Sequence, residues 1–365
     1  MDAAIGGQSE QDEDSSADAG ITVVMYPDYR EANPYQRALR DSLDERGIDV
    51  QFASRHRYVP LLGSVVECGN PDVLHVHWLS SFTVTDSSLI SALLGVRTVF
   101  ELLLLRLFGI DVVWTVHNRF DHEKKSPRVE LVTRHLVARL VDRMTVHCDA
   151  ARAVLLEAYR LPDRFRDRIT VIPHGHFRDV YSNEASRETA RQRFGLGDET
   201  VFLYFGRIRR YKNVPELLST FSQLDGEAKL LVVGKPWDET VAETVRDPDD
   251  PRIETRFEFV EEDEIQWYMN AVDAVVLPYE AVLTSGAAIL AMSFGRPVIG
   301  PDIGCLGELL NYGGISYDPD APNGLDRALR TALVSDLSER GDRCADFVER
   351  LTWDGPARRL RRLYD

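Results

Sequence analysis

Twice along this chain, short apolar runs bounded by turn residues alternate with longer helical patterns, and a polar stretch separates the two series. The first begins with ITVVMYP at Ile21. It continues through DVQFAS, PDVLHVHW (71–78), IDVVWTVHN (110–118) and RMTVHC (143–148), and ends in RITVIPHG at Gly175. Between the runs lie YQRALRDSLDERG, stopped by Gly47, and helical patterns over 89–108, 129–140 and 150–159. The second series runs VFLYFGRI, KLLVVGK, RIETRFEFV, DAVVLPY, PVIGPD and GISYDP, with VPELLSTFSQL and EEDEIQWYMNAV between. Strands that are apolar on both faces and alternate with helices predict parallel sheets covered on both sides. A chain of 365 residues is long enough for two such cores. The expected fold is therefore α/β, with two doubly wound domains over 21–177 and 198–348 and a cleft between them. The polar segment from Arg178 to Glu199 links them, and TWDGPARRLRRLYD supplies a last helix over 349–365. Residues 1–20 have almost nothing apolar to bury and read as an acidic tail without order. In sheets of this kind ligands sit at the carboxyl ends of the strands.

Composition narrows the function. The net charge is −16, and the basic residues are arginine except for Lys124, Lys125, Lys212, Lys229 and Lys235. Such a surface disfavours nucleic acid and suits a salt-rich, halophilic cell, where self-repulsion is screened. Cys68, Cys148, Cys305 and Cys344 are dispersed, with no zinc or redox spacing, which fits a reducing cytoplasm. The first residues do not read as a secretory leader. The most apolar stretch, Ser88 to Val113, is interrupted by Arg97, Glu101, Arg106 and Asp111, which argues against a membrane span. An apolar surface helix with peripheral membrane contact stays open.

The stretch PYEAVLTSGAAILAMSFGRPVIG (278–300) contains a strand end, a small-residue turn and a helix capped by Thr284 or Ser285. Gly286 lets the backbone come close to a ligand, and a helix N-terminus attracts an anion such as phosphate. In the same domain the run VFLYFGRI ends in Gly206 and Arg207, and Lys212 stands five residues on. Arginine fork, lysine point charge and helix amides together suit a diphosphate. There is no Gly-x-Gly-x-x-Gly after a strand and no P-loop, which argues against a dinucleotide oxidoreductase and a P-loop phosphotransferase.

Seven histidines, His75, His77, His117, His122, His147, His174 and His176, fall near strand ends. His75 and His77 share a strand face, but no third ligand has a fixed spacing to them, so no metal site is expected. His117 is the one chosen for chemistry, as a hydrogen-bond donor or base, with Asp121 and Glu123 following in HNRFDHE.

In order, GRIRRYKNVPELL, LLVVGKP and VVLPY through SFGRPVI resemble the donor domain of a GT-B glycosyltransferase of family 4 and its relatives, a resemblance extending from Ile21 to Tyr364. It implies a first domain for the acceptor, a second for a nucleoside-diphosphate sugar, and a terminal helix that crosses back. It implies that Arg207 and Lys212 bind the donor diphosphate together with Thr284, Ser285 and Gly286, and that His117 in TVHN faces the donor sugar. The implied activity is transfer of a sugar to a hydroxyl on a glycan or lipid-linked acceptor in cell-surface assembly, with no cofactor and no metal. One departure matters. The two glutamates usual in the family fall by count on Val282 and Leu290, with Glu280 two places early, so Glu280 and Gly206 are only weak candidates for sugar or nucleotide contact. A retaining course needs no protein base; an inverting one has His117, Glu123 and Asp28 as candidates, in that order. The rival readings are a GT-B-shaped nucleotide-sugar epimerase and a non-catalytic homologue that binds nucleotide sugar or a partner.

Overall fold

The computed structural model describes residues 20–31, 33–121, 123, 125–246 and 248–365. The tail expected over 1–20 thus lies outside the described residues apart from Gly20, as do His122 and Lys124. The first domain contributes β1 (Thr22–Tyr26), β2 (Asp49–Phe52), β3 (Val73–Val76), β4 (Asp111–Thr115), β5 (Arg143–Val146) and β6 (Ile169–Val171). The second contributes β7 (Thr200–Phe205), β8 (Ala228–Val233), β9 (Ile253–Arg256), β10 (Ala274–Val276), β11 (Val298–Pro301) and β12 (Ile315–Tyr317). Every apolar run named above becomes a strand, and all pairings are parallel.

Strand order is β2-β1-β3-β4-β5-β6 in the first sheet and β12-β11-β10-β7-β8-β9 in the second. Order reverses between β1 and β3 and between β7 and β10, so each sheet opens a crevice at those strand ends. Helix Arg187–Arg193, within the segment read as a polar link, packs on helix Ile265–Ala271 of the second domain.

The two halves are tied near the chain crossings. Phe177 N–H donates to Ser293 Oγ at 3.0 Å, His176 N–H to the Leu351 carbonyl at 2.7 Å, and Trp353 Nε1–H to the His176 carbonyl at 2.7 Å. Helix Asp354–Tyr364 returns to the first domain, burying Ala357, Leu360 and Tyr364 with Leu39, Leu43, Val23 and Met25.

The cysteines correct the sequence reading. Cys148 and Cys305 form a disulfide between the domains, with Cα atoms 5.6 Å apart and a sequence separation of 157. That separation hides the pair from any spacing argument, and the structure does not carry the expectation that all four cysteines stand apart. Beside the bond, the free Ala150 N–H at the start of helix Asp149–Ala158 donates to Glu308 of the second domain at 2.7 Å.

Helix Ser88–Leu107 buries several polar groups beside Leu102 and Leu105 and exposes apolar ones. Ser91, Thr98 and Glu101 are buried, while Leu93 is 63%, Val96 70% and Phe100 59% exposed. Glu101 is held inside because its Oε2 accepts the Leu61 and Leu62 N–H groups, at 2.8 and 3.0 Å, at the start of helix Pro60–Glu67. Among the described residues this is the helix long and apolar enough to cross a membrane.

Candidate active site

On the second domain the ends of β7 and β10 are pinned together by the Glu280 N–H, which donates to the Tyr211 carbonyl at 2.8 Å. Lys212 is brought beside Tyr279, its Nζ 5.3 Å from that ring and 5.9 Å from the ring of Tyr204. Gly206, at φ +119°, passes directly under the ammonium, and a Cβ on Gly234 would run into the Gly206 carbonyl. Both glycines are needed for this close approach. Lys212 is half-buried. Burial, and then the charges of Arg209 and Arg207, lower its pKa to about 7. Among the described residues no carboxylate pairs with Lys212 or Arg207. An anion placed there would restore the full charge.

Ser285, not Thr284, caps helix Gly286–Ser293: its Oγ accepts the Ala288 N–H at 3.2 Å, while Thr284 Oγ1 faces Cys305 Sγ at 3.7 Å. Gly286 is exposed, with nothing within 4 Å of where a Cβ would stand, so its amide is open to a ligand. Arg207 lies over the Trp237 ring at 5.1 Å and Arg209 over the same ring at 4.0 Å. Arg209 also reaches across the cleft to Glu123 at 3.3 Å. Trp237 and Arg209 were missed, although the first follows LLVVGKP and the second lies between Arg207 and Lys212.

The first domain presents a loop, Asn118 to Asp121, after β4. A buried network holds it. Arg134 Nη1 donates to the Asn118 carbonyl at 2.9 Å, Tyr159 OH to the Arg119 carbonyl at 2.9 Å, and Asp121 N–H to Glu130 Oε1 at 2.7 Å. Glu130 and Arg134 form a buried pair at 2.8 Å. Their i, i+4 spacing was the one available signal, and such pairs usually lie in water. The loop faces Tyr211, Glu280 to Leu283, Ile303 and Gly304 across a cavity of about 520 Å³.

Behind the loop, adjacent strands place one imidazole each in a row: His77 after β3, His117 after β4, His147 after β5 and His174 after β6. Their ring centroids lie 5.4, 5.2 and 5.5 Å apart, close to the spacing of the strands. His75 stacks under His77 at 4.3 Å. Burial pushes His75 and His174 down to about 3 and His147 to about 4, and drives His77 and His117 well below the usual value, so all five are neutral. Neutrality fixes the tautomers. His147 Nδ1–H must donate to the Ile172 carbonyl at 2.9 Å, so its Nε2 accepts His117 Nδ1–H at 3.4 Å, and His117 Nε2 accepts His77 Nδ1–H at 3.1 Å. His117 thus spends both nitrogens on neighbours and would meet a sugar only by giving one up. Asp28 is likewise engaged, with Arg30 at 2.8 Å, whose hydrogen bonds hold its carboxyl below the usual range. Among the described residues no group of three metal-ligating side chains converges.

Two doubly wound sheets facing across a cleft, with the Arg207 and Lys212 cations on one lip and a polar loop on the other, have the architecture of the GT-B type. The family described as "Glycosyl transferases group 1" matches residues 199–335. A GDP-mannose:glycolipid 4-beta-D-mannosyltransferase of Xanthomonas campestris pv. campestris is 30% identical over 77% of this chain and 74% of its own. An alpha-D-kanosaminyltransferase of Streptomyces kanamyceticus is 26% identical over 67% and 65%. Among solved structures, Anabaena HepE with UDP and glucose aligns with a TM-score of 0.71 at 14% identity, over 94% of this chain and 99% of that one. Sucrose-phosphate synthase of Thermosynechococcus elongatus aligns at 0.70 and 18%, over 94% and 98%. The chain belongs to the group 1 glycosyl transferases and is an enzyme that moves a sugar from a nucleotide-activated donor to a hydroxyl acceptor.

Proposed function

We propose that the enzyme inverts the anomeric centre, using Asp121 as its base and a glycolipid as its acceptor. The observation that carries this is the cavity lining. Among the described residues its carboxylates are Asp121, on the first-domain side, and Glu280 opposite, while the places of the family glutamates hold the apolar Val282 and Leu290. Glu123, His117 and Asp28 are each paired with another side chain, whereas the Asp121 carboxylate accepts the Glu123 N–H at 3.1 Å through Oδ2 alone. Asp121 takes the proton of the acceptor hydroxyl as its oxygen bonds to the anomeric carbon, and the bond from that carbon to the diphosphate breaks. Lys212, Arg207 and the amides after Ser285 neutralise the leaving nucleoside diphosphate, which removes the need for a metal. The mannosyltransferase relative supports both halves of the reading: its name gives a glycolipid acceptor, and a β-mannosyl product from an α-linked GDP-mannose is an inversion.

The outward apolar face of helix Ser88–Leu107 suits a bilayer surface on the cytoplasmic side, where a lipid-linked acceptor in cell-surface glycan assembly would be met. The −16 charge with few lysines supports a high-salt interior. The test is a panel of nucleotide sugars with a glycolipid acceptor in EDTA and rising potassium chloride, with the product anomer read by proton NMR. Retention, a need for added magnesium or manganese, or activity that falls steadily with salt would each overturn the corresponding part.

A further inference from the structure

The first sheet has its own crevice, where strand order reverses between β1 and β3, and a second pocket of about 310 Å³ opens there. Tyr26 and Pro27 from the end of β1, Arg55 and Arg57 from the loop after β2, and Arg97 from helix Ser88–Leu107 line it, with no carboxylate in the lining. Arg97 is paired with buried Glu101 at 3.2 Å. Arg55 and Arg57 are exposed, and among the described residues neither forms an ion pair, although Arg55 lies near enough to Asp28 to add to the pull of Arg30 on that carboxyl. Two guanidiniums with no carboxylate bonded to them in one pocket are conspicuous in a chain with a surplus of acid.

Two features lead away from this pocket. Leu94 lines it, and beyond Leu94 the apolar face of the helix begins with exposed Ile90 and Leu93. In the other direction Arg55 lies 5.0 Å over the Tyr29 ring, Tyr29 meets Trp78 at 5.1 Å, and Trp78 stacks on His117 at 4.5 Å. An aromatic track therefore connects the arginines to the row of imidazoles behind the Asn118 to Asp121 loop.

We infer that this pocket is the subsite for a phosphate or diphosphate group on the acceptor. Its ligand is an amphiphile, with an apolar chain laid along helix Ser88–Leu107, an anionic link held by Arg55 and Arg57, and a sugar running over Tyr29 and Trp78 toward the cleft. Arginine forks suit a phosphate geometrically, and each charge-assisted contact strengthens as water is excluded. The inference rests on the glycolipid reading above, and its test needs no turnover.

Farnesyl diphosphate, farnesol, inorganic pyrophosphate and phosphatidylglycerol vesicles are titrated calorimetrically into the full-length protein and an Arg55→Ala/Arg57→Ala variant, with and without saturating nucleoside diphosphate. Both arginines are exposed, and a melting curve checks that the variant folds. Farnesyl diphosphate is expected to bind more tightly than farnesol or pyrophosphate and to ignore the nucleotide. The double substitution is expected to weaken it roughly tenfold or more. Equal binding by the variant, or displacement by the nucleotide, overturns the subsite. Vesicles that compete as well as the diphosphate would instead give the pocket to a bilayer headgroup. If farnesyl diphosphate binds as expected but no sugar is transferred to any glycolipid, the function fails and the pocket stands.

Discussion

The two lips of the cleft are built in opposite ways. On the lip proposed for the donor the candidate groups lie within a few residues of one another: Gly206, Arg207 and Lys212 in one turn, Thr284, Ser285 and Gly286 in another. On the opposite lip, proposed for the acceptor, each group comes from a different strand or helix. His77, His117 and His147 are 40 and 30 residues apart, and the Asn118 to Asp121 loop is held by Glu130, Arg134 and Tyr159. A site made of local turns can be altered one residue at a time without disturbing the fold. A site made by sheet order and buried charge cannot.

Substitution tests that difference, beginning with the largest effect. Asp121→Asn should cut transfer by about a hundredfold to ten-thousandfold, the range for a lost general base, while leaving donor binding intact. Turnover near the parental rate would move the base to Glu123 or His117. Lys212→Ala should slow turnover by about a hundredfold to a thousandfold. It should also raise the stability of the donor-free protein by about 1–2 kcal/mol, because a half-buried, partly solvated cation is removed. Lys229→Ala, whose partner Glu199 lies 2.8 Å away at the far end of the sheet, should do neither. A Lys212→Ala protein that melts lower than the parent would show that the lysine is structural.

Arg134→Met should behave in the opposite sense. Leaving Glu130 buried without its partner should cost about 3–5 kcal/mol in urea denaturation, and the loosened loop should raise the acceptor KM while the donor KM stays put. Recovery of stability but not of acceptor KM in Glu130→Leu/Arg134→Met would separate packing from positioning.

The smallest effect is on pH. Both lips contain bases whose folded pKa is depressed, so in both the unfolded state binds more protons and stability falls as pH drops, but in separate windows. For Lys212 the loss runs from its ordinary 10.5 down to about 7, and it should vanish when a nucleoside diphosphate is bound. For the imidazole row it begins near 6.5 and continues toward about 3 to 4. Melting curves across pH, with and without nucleotide, should show only the upper window closing.

The same contrast sets what could be read from the chain. Parallel strands buried on both faces are legible because their apolar runs are continuous, and the donor turns because their residues are neighbours. The histidines could be seen to gather at strand ends, but their alignment depends on β3, β4, β5 and β6 being adjacent in that order, which no spacing encodes. The enclosure of Lys212 could not be read, because the Tyr204 and Tyr279 rings beside it come from two strands. Glu101 and Arg97 were read as interruptions of an apolar stretch. Glu101 is on its buried side with Leu102 and Leu105, Arg97 is half-buried beside it, and the outward face is apolar.

The bond between Cys148 and Cys305 makes one covalent ring out of the chain between them, including the segment that links the domains. A protease that nicks the backbone anywhere within that ring releases nothing: the two pieces stay joined and separate on a gel only after reduction. The ring also discourages exchange of halves between molecules, since the second domain of one copy could close stably on the first domain of another only if the sulfur bridge were broken and remade between them.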